Sequence, residues 1–258
     1  MLTPKETVAK AVEVGQTKAS LSAGKMLLLG IFAGALIALA GVGATFGNVY
    51  AGKLAGACVF PIGLIMVVIT GSELFTGNNL MIIAAIKGQI KWKSLLKNWW
   101  FVFLGNFIGA LLVAITAVYS GVLDPAAEAV INTAETKTNL SFLEALLRGV
   151  LCNVLVCLAI FMAFSAKTVG GKILVIFGPI MLFVLCGFEH SVANMYYGPA
   201  GIFMAIKSGI STSLNMDAFL INNLLPVTLG NIIGGAGLIG CGFFLAYPHQ
   251  DQPKAKAK

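Results

Sequence analysis

The chain has 258 residues, of which 58% are hydrophobic, and only 10% are charged, against about 25% in an ordinary soluble domain. With a mean hydropathy of +0.92 this is a multi-spanning membrane protein. The net charge of +7 does not point to nucleic acid, because no soluble basic patch with interleaved aromatics is present and basic residues beside membrane spans set topology.

Thr3-Pro4-Lys5-Glu6 reads as a helix start: threonine caps, proline suits the first helical position and Glu6 closes a capping box. Val8, Val12 and Ala19 then share one side, so residues 1–25 are expected to form an amphipathic helix along the cytoplasmic membrane surface. A solvated lead-in helix is the alternative. The segment has no continuous apolar core and is not read as a signal peptide.

A channel domain is expected over residues 26–247. Its first span is about Met26–Phe46, rich in small residues that let helices approach closely. From Leu54 to Ile86 little charge occurs. One helix of that length would reach ~50 Å, well beyond the ~30 Å hydrocarbon core. The polar patch Gly71–Asn79 inside it therefore predicts a broken helix, which membranes tolerate only in a protein interior or around a cavity. The third span is about Asn98–Ser120, the fourth about Phe142–Phe164, and an acidic polar loop over 121–141 links them. Ile173–Ile206 is again overlong and is interrupted at Gly187–Asn194. The sixth span is about Phe219–Tyr247, followed by a polar, basic tail over 248–258 that contains His249. Thirteen lysines, in residues 1–25, 87–97 and 167–172 and in the tail, fall on one side; Lys53, Lys137 and Lys207 fall on the other. This bias places both termini in the cytoplasm.

The halves repeat. Gly71-Ser72-Glu73 and Gly187-Phe188-Glu189 both read Gly-x-Glu-x4-Asn, ending at Asn78 and Asn194. Leu104-Gly105-Asn106 matches Leu229-Gly230-Asn231, and Gly30–Ala40 aligns weakly with Gly149–Ala159. Three spans is an odd number, so the copies over about 26–120 and 142–247 are expected to be inverted. Paired broken helices in inverted repeats are the signature of a transport site near the midplane.

Two carboxylates and a histidine lie at that depth. An ionisable residue inside a membrane is functional by default, so His190 is the first candidate; a satisfied structural histidine is the alternative. It can donate and accept hydrogen bonds, or carry a proton near neutral pH. Glu73 and Glu189 are expected to stabilise their loops by accepting backbone N–H groups freed at the helix breaks, with Asn78 and Asn194 holding the loops. Thr76 beside Leu74-Phe75 suggests a gate with one polar contact. Phe60 and Phe183, shortly before the breaks, suit a hydrophobic constriction, or plain packing. Lys137 could draw anions into a vestibule, or be an ordinary solvated lysine. The five cysteines, Cys58, Cys152, Cys157, Cys186 and Cys241, lie in apolar runs without CxxC spacing, and no metal or cofactor site is expected.

These motifs, with Leu-Cys-Asn-Val-Leu-Val-Cys-Leu-Ala at 151–159, resemble the formate/nitrite transporter family over nearly the whole chain. The resemblance implies an all-α, aquaporin-like fold of six transmembrane helices with helices 2 and 5 broken, assembled in the inner membrane as a homopentamer with one pore per protomer. It assigns His190, Thr76 and Asn153 to the pore centre, and Phe60, Leu64, Leu74, Phe75, Val156 and Phe183 to constrictions. It gives Lys137 to the outer vestibule. The implied substrates are small monovalent anions of weak acids: formate, nitrite or hydrosulfide. Two rivals are weighed. A water or small neutral solute channel would typically carry Asn-Pro-Ala, whereas Asn78 and Asn194 are followed by Asn79 and Met195. An intramembrane enzyme using Glu189, His190 and Ser191 would need a geometry that adjacency alone does not supply.

Overall fold

The structure, a computed structural model, describes residues 1–247; the expected tail and His249 lie outside the described residues. All regular structure among those residues is helical. Among the described residues six helices are long and apolar enough to cross a membrane. In chain order the helices are α1 Pro4–Ala19, α2 Ala23–Ala51, α3 Lys53–Thr70, α4 Phe75–Ile86, α5 Trp92–Tyr119, α6 Ala127–Thr138, α7 Phe142–Ser165, α8 Val169–Cys186, α9 Ser191–Ser208 and α10 Met216–Ala246. The second and fifth apolar runs are thus each split, into α3/α4 and α8/α9.

Both splits use the same device. Gly71 (φ 71°) and Gly187 (φ 72°) end α3 and α8 in the left-handed region, where a side chain is strained and glycine is the usual helix stop. Three residues on, Leu74 (φ −109°, ψ 123°) and His190 (φ −109°, ψ 114°) sit in nearly identical extended conformations as the residues that start α4 and α9.

Within each half the first and third spans pack tightly, α2 on α5 and α7 on α10. A methyl group on Gly34 would run into the backbone of Asn106, and one on Gly230 into that of Leu146, so these contacts require glycine. The helices after the breaks cross over: α9 packs on α5 of the first half and α4 on α10 of the second. α3 and α8 meet each other between the halves. Large apolar side chains such as Leu28, Phe32, Leu112, Leu147, Leu174 and Leu238 point outward, while Glu73, Asn78, Asn106, Asn153, Glu189, His190 and Asn231 are buried. Apolar outside with a hydrogen-bonded polar centre suits a chain surrounded by lipid.

Two regions differ from expectation. The acidic linker is not simply a loop: a turn at Asp124–Ala126 leads into α6. Val130, Ile131 and Ala134 form a buried stripe at helical spacing, and Lys207–Asp124 and Thr212–Glu135 contacts tie the region to the end of α9. Its charged residues hid an amphipathic helix. The apolar face of α1, Val8, Ala11, Val12 and Gly15, is covered by protein, namely α4 and α7, rather than presented to a lipid surface. The Thr3–Glu6 capping box forms. The Leu2 N–H donates to the Ser165 carbonyl at 2.9 Å, and Gln16 donates to Gln89 at 3.1 Å, pinning the helix at both ends.

Candidate functional site

The polar centre is built twice from matching bonds. At the first break the Asn106 Oδ1 accepts the Phe75 N–H at 2.9 Å, and its Nδ2 donates to the carbonyls of Gly30 (2.8 Å) and Glu73 (2.9 Å). At the second break the Asn231 Oδ1 accepts the Ser191 N–H at 2.9 Å, and its Nδ2 donates to Gly149 (2.8 Å) and Glu189 (3.0 Å). The asparagine of each Leu-Gly-Asn motif therefore satisfies backbone groups freed at the break of its own half.

The carboxylates do something other than expected. Glu73 accepts side-chain donors: Lys18 Nζ at 2.7 Å and Asn78 Nδ2 at 2.6 Å. Glu189 accepts Lys137 Nζ at 2.8 Å and Asn194 Nδ2 at 2.6 Å. Asn98 and Asn223 complete the two clusters, accepting from Asn78 (2.8 Å) and Asn194 (2.7 Å) respectively. Each glutamate thus holds its loop, but through a lysine and asparagines rather than through backbone N–H groups; the Phe75 and Ser191 N–H groups go to the Leu-Gly-Asn asparagines instead. A buried carboxylate needs a counter-charge, and a lysine supplies one where an amide N–H cannot.

His190 breaks the symmetry. Its Nδ1 accepts the Ala193 N–H at 3.0 Å, so the histidine caps α9, which Leu74 cannot do for α4. Its Nε2 lies 2.9 Å from Thr76 Oγ1. Because Nδ1 is an acceptor, the neutral ring carries its hydrogen on Nε2 and donates to the threonine. The Thr76 hydroxyl hydrogen then has no other acceptor among the described residues. The Phe183 ring stacks on the imidazole at 5.8 Å between centroids, and Phe60 meets Phe183 edge to face at 5.7 Å. Leu64, Leu74, Phe75 and Val156 are all buried, and Phe75 packs edge-on against Phe103 (5.0 Å) and Trp99 (6.0 Å). Asn153 comes to the same place but spends its amide on backbone: Nδ2 donates to the carbonyls of Asn231 (2.6 Å) and Thr76 (3.3 Å), leaving Oδ1 without a partner.

A cavity of about 550 Å³ opens on one side of this pair. Phe60, Phe183 and His190 form part of its lining, as do Lys53, Lys137, Arg148, Glu189 and Asn194. Lys137 is at this vestibule but its charge is engaged by Glu189, with its ammonium also 5.4 Å from the Tyr197 ring centre.

Sequence reasoning gave no role to Lys18, Asn98, Asn106, Asn223 or Asn231. The signal was present. Asn98 and Asn106 have the same spacing as Asn223 and Asn231, and Lys18 stands as far before Gly30 as Lys137 does before Gly149.

The chain as a whole is similar to known proteins. The formate/nitrite transporter family model matches residues 5–245. The formate channel FocA of Haemophilus influenzae is 40% identical, over 93% of this chain and 92% of that protein. FocA of Escherichia coli is 36% identical, over 96% of this chain and 95% of its own, and the uncharacterized transporter YrhG of Bacillus subtilis is 38% identical, over 99% and 97%. Among solved structures, a pentameric formate channel with formate bound superposes with a TM-score of 0.79 at 36% identity, covering 87% of this chain and 97% of its own. An FNT family ion channel superposes with a TM-score of 0.82 at 31% identity, covering 94% and 99%. The whole chain thus shares its fold with these channels, and it is a member of the formate/nitrite transporter family.

Proposed function

We propose that the chain is a channel for small monovalent anions of weak acids, with formate the first substrate to test, assembled as a homopentamer in the cell membrane with both termini cytoplasmic. The observation that carries this reading is the Thr76–His190 pair, buried behind Phe60 and Phe183 at the floor of an aqueous vestibule. Several relatives bear the name formate channel, and one solved neighbour is a pentameric formate channel. The lysine bias supports the orientation.

An anion leaving the vestibule loses water at the phenylalanines, a cost that hydrogen bonds must offset. The hydroxyl hydrogen of Thr76 is left to supply one, because the threonine oxygen accepts from His190 Nε2–H rather than donating to it. His190 therefore acts first through the threonine, as a donor that orients it. Asn153 holds the Thr76 peptide in place. A proton-linked step demands more. The neutral ring cannot give up its only N–H without becoming an imidazolate, so Nδ1 must first take up a proton and release the Ala193 N–H. Proton coupling, on this reading, is tied to uncapping α9.

Reconstitution in vesicles with formate, nitrite, hydrosulfide and chloride across pH tests the proposal. Passage of formate or its analogues above empty-vesicle rates is expected. Faster passage of water or glycerol, with no weak-acid anion flux, would favour a neutral solute channel instead.

A further inference from the structure

The vestibule holds three cations but one of them is spent. Lys137 is bound to Glu189 at 2.8 Å, and Glu189 is the carboxylate on the vestibule lining. The other two cations, Lys53 and Arg148, line the same cavity and form no ion pair among the described residues. Lys53, the first residue of α3, reaches back over the second break, its Nζ 3.9 Å from where a Gly187 side chain would begin. Arg148 comes from α7, and its carbonyl accepts the Glu189 N–H at 3.2 Å, so it is fixed to the same loop from the other side. Glu144, one turn earlier, binds Ser141 in a helix cap; it interacts electrostatically with Arg148 but makes no ion-pair contact with it.

Arg148 is the single arginine of the chain. In the first half the bond it makes to the loop is made by Leu29, whose carbonyl takes the Glu73 N–H at 3.2 Å. The scaffold therefore needs only a backbone carbonyl at this position and accepts a leucine. A permanent charge inside a membrane-spanning helix is costly and calls for a reason beyond packing.

We propose that Lys53 and Arg148 are the anion-collecting charges of the vestibule, while Lys137 serves to hold the Glu189 loop. The proposal rests on the anion-channel reading above. With Lys137 and Glu189 cancelling at close range, the lining carries a surplus of two positive charges in a cleft whose other polar walls, Thr45, Asn48, Asn132 and Thr133 among them, are neutral, so that their field acts on entering anions.

The test is the initial rate of formate entry into vesicles for the wild type, Lys53→Gln, Arg148→Gln and the double variant, each at about 10 mM and about 0.5 M ionic strength, since a field of this kind is screened within ~3–4 Å at the higher salt. Each lost charge is expected to slow entry roughly two- to fivefold at low salt, multiplicatively in the double variant, and the gap is expected to close at high salt. Lys53→Arg and Arg148→Lys preserve charge and are expected to match the wild type. Glutamine variants as fast as wild type at low salt, equal losses at both salt levels, or an Arg148→Lys variant as slow as Arg148→Gln would each overturn the proposal. A wild type that moves no weak-acid anion at either salt level would overturn the function reading itself, and that result is read from the wild type alone.

Discussion

Replacing Asn231 by leucine, a side chain of nearly the same size, tests the scaffold with little change in packing. Asn231 is fully buried and makes three bonds: it accepts the Ser191 N–H and donates to the carbonyls of Glu189 and Gly149. The Gly149 carbonyl lies within α7 and keeps a helical partner. The other two groups belong to the break and have none, so the variant strands one buried donor and one buried acceptor. At ~1–3 kcal/mol for each stranded group, the expected loss is about 2–6 kcal/mol, a large part of the ~5–15 kcal/mol that holds a typical domain folded. Denaturant unfolding in mixed micelles reads it, with Asn106→Leu as a matched control because Asn106 makes the equivalent bonds to Phe75, Glu73 and Gly30. Both variants are expected to lose similar stability. Only Asn231→Leu is expected to disturb the start of α9, and so to impair anion flux in the folded fraction more than Asn106→Leu does. A loss under about 1 kcal/mol in both would show that the breaks are held by something other than these asparagines.

Three further outcomes follow from the same geometry. Thr76→Val removes the hydroxyl beside His190 at nearly constant volume; flux per folded protein is expected to fall about tenfold, a hydrogen bond's worth, with Thr76→Ser near wild type in the same vesicle assay. Lys137→Gln leaves Glu189 as a buried, unpaired charge and is expected to cost about 3–5 kcal/mol, most of it recovered in Lys137→Gln/Glu189→Gln; a double variant no more stable than the single would contradict the pairing. The Glu6 carboxyl is held below its ordinary value of 4.5 by the Thr3 backbone N–H and hydroxyl. Its contribution to the start of α1 is therefore present above pH 4.5 and is lost as pH falls through the lowered value, and Thr3→Ala, which removes the hydroxyl but keeps the backbone N–H, is expected to weaken that pH dependence without abolishing it, as followed by amide exchange in α1.

Much of this fold was legible because the membrane enforces it. Two apolar runs too long for one crossing, each containing Gly-x-Glu-x4-Asn, required breaks at Gly71–Asn79 and Gly187–Asn194, and the glycines at φ 71° and 72° are where those breaks begin. His190 stood out because it is ionisable at depth, and its nearness to Thr76 joins two loops 114 residues apart. What stayed hidden was partnership. Which donor meets Glu73 depends on α1 folding back onto the spans, and no local pattern tells Lys18 that its partner lies 55 residues on. Lys137 looked like a free vestibule charge because sequence gives its neighbours along the chain, not the Glu189 that it contacts 52 residues on. Arg148 shows no role along the chain for the same reason: the cavity it lines is assembled from α2, α3, α6, α7, α8 and α9 together.

The central claim is that the asymmetric Thr76–His190 pair makes a symmetric scaffold into an anion path. His190→Leu puts into the second break the residue that the first break already has in Leu74, in nearly the same backbone conformation. Formate-driven swelling of vesicles carrying the wild type and this variant, matched for folded protein, addresses the claim most directly. The account predicts rapid formate entry through the wild type and a loss of at least about tenfold in the variant, the scale of one hydrogen bond to a charged group. Formate entry unchanged by His190→Leu would contradict it.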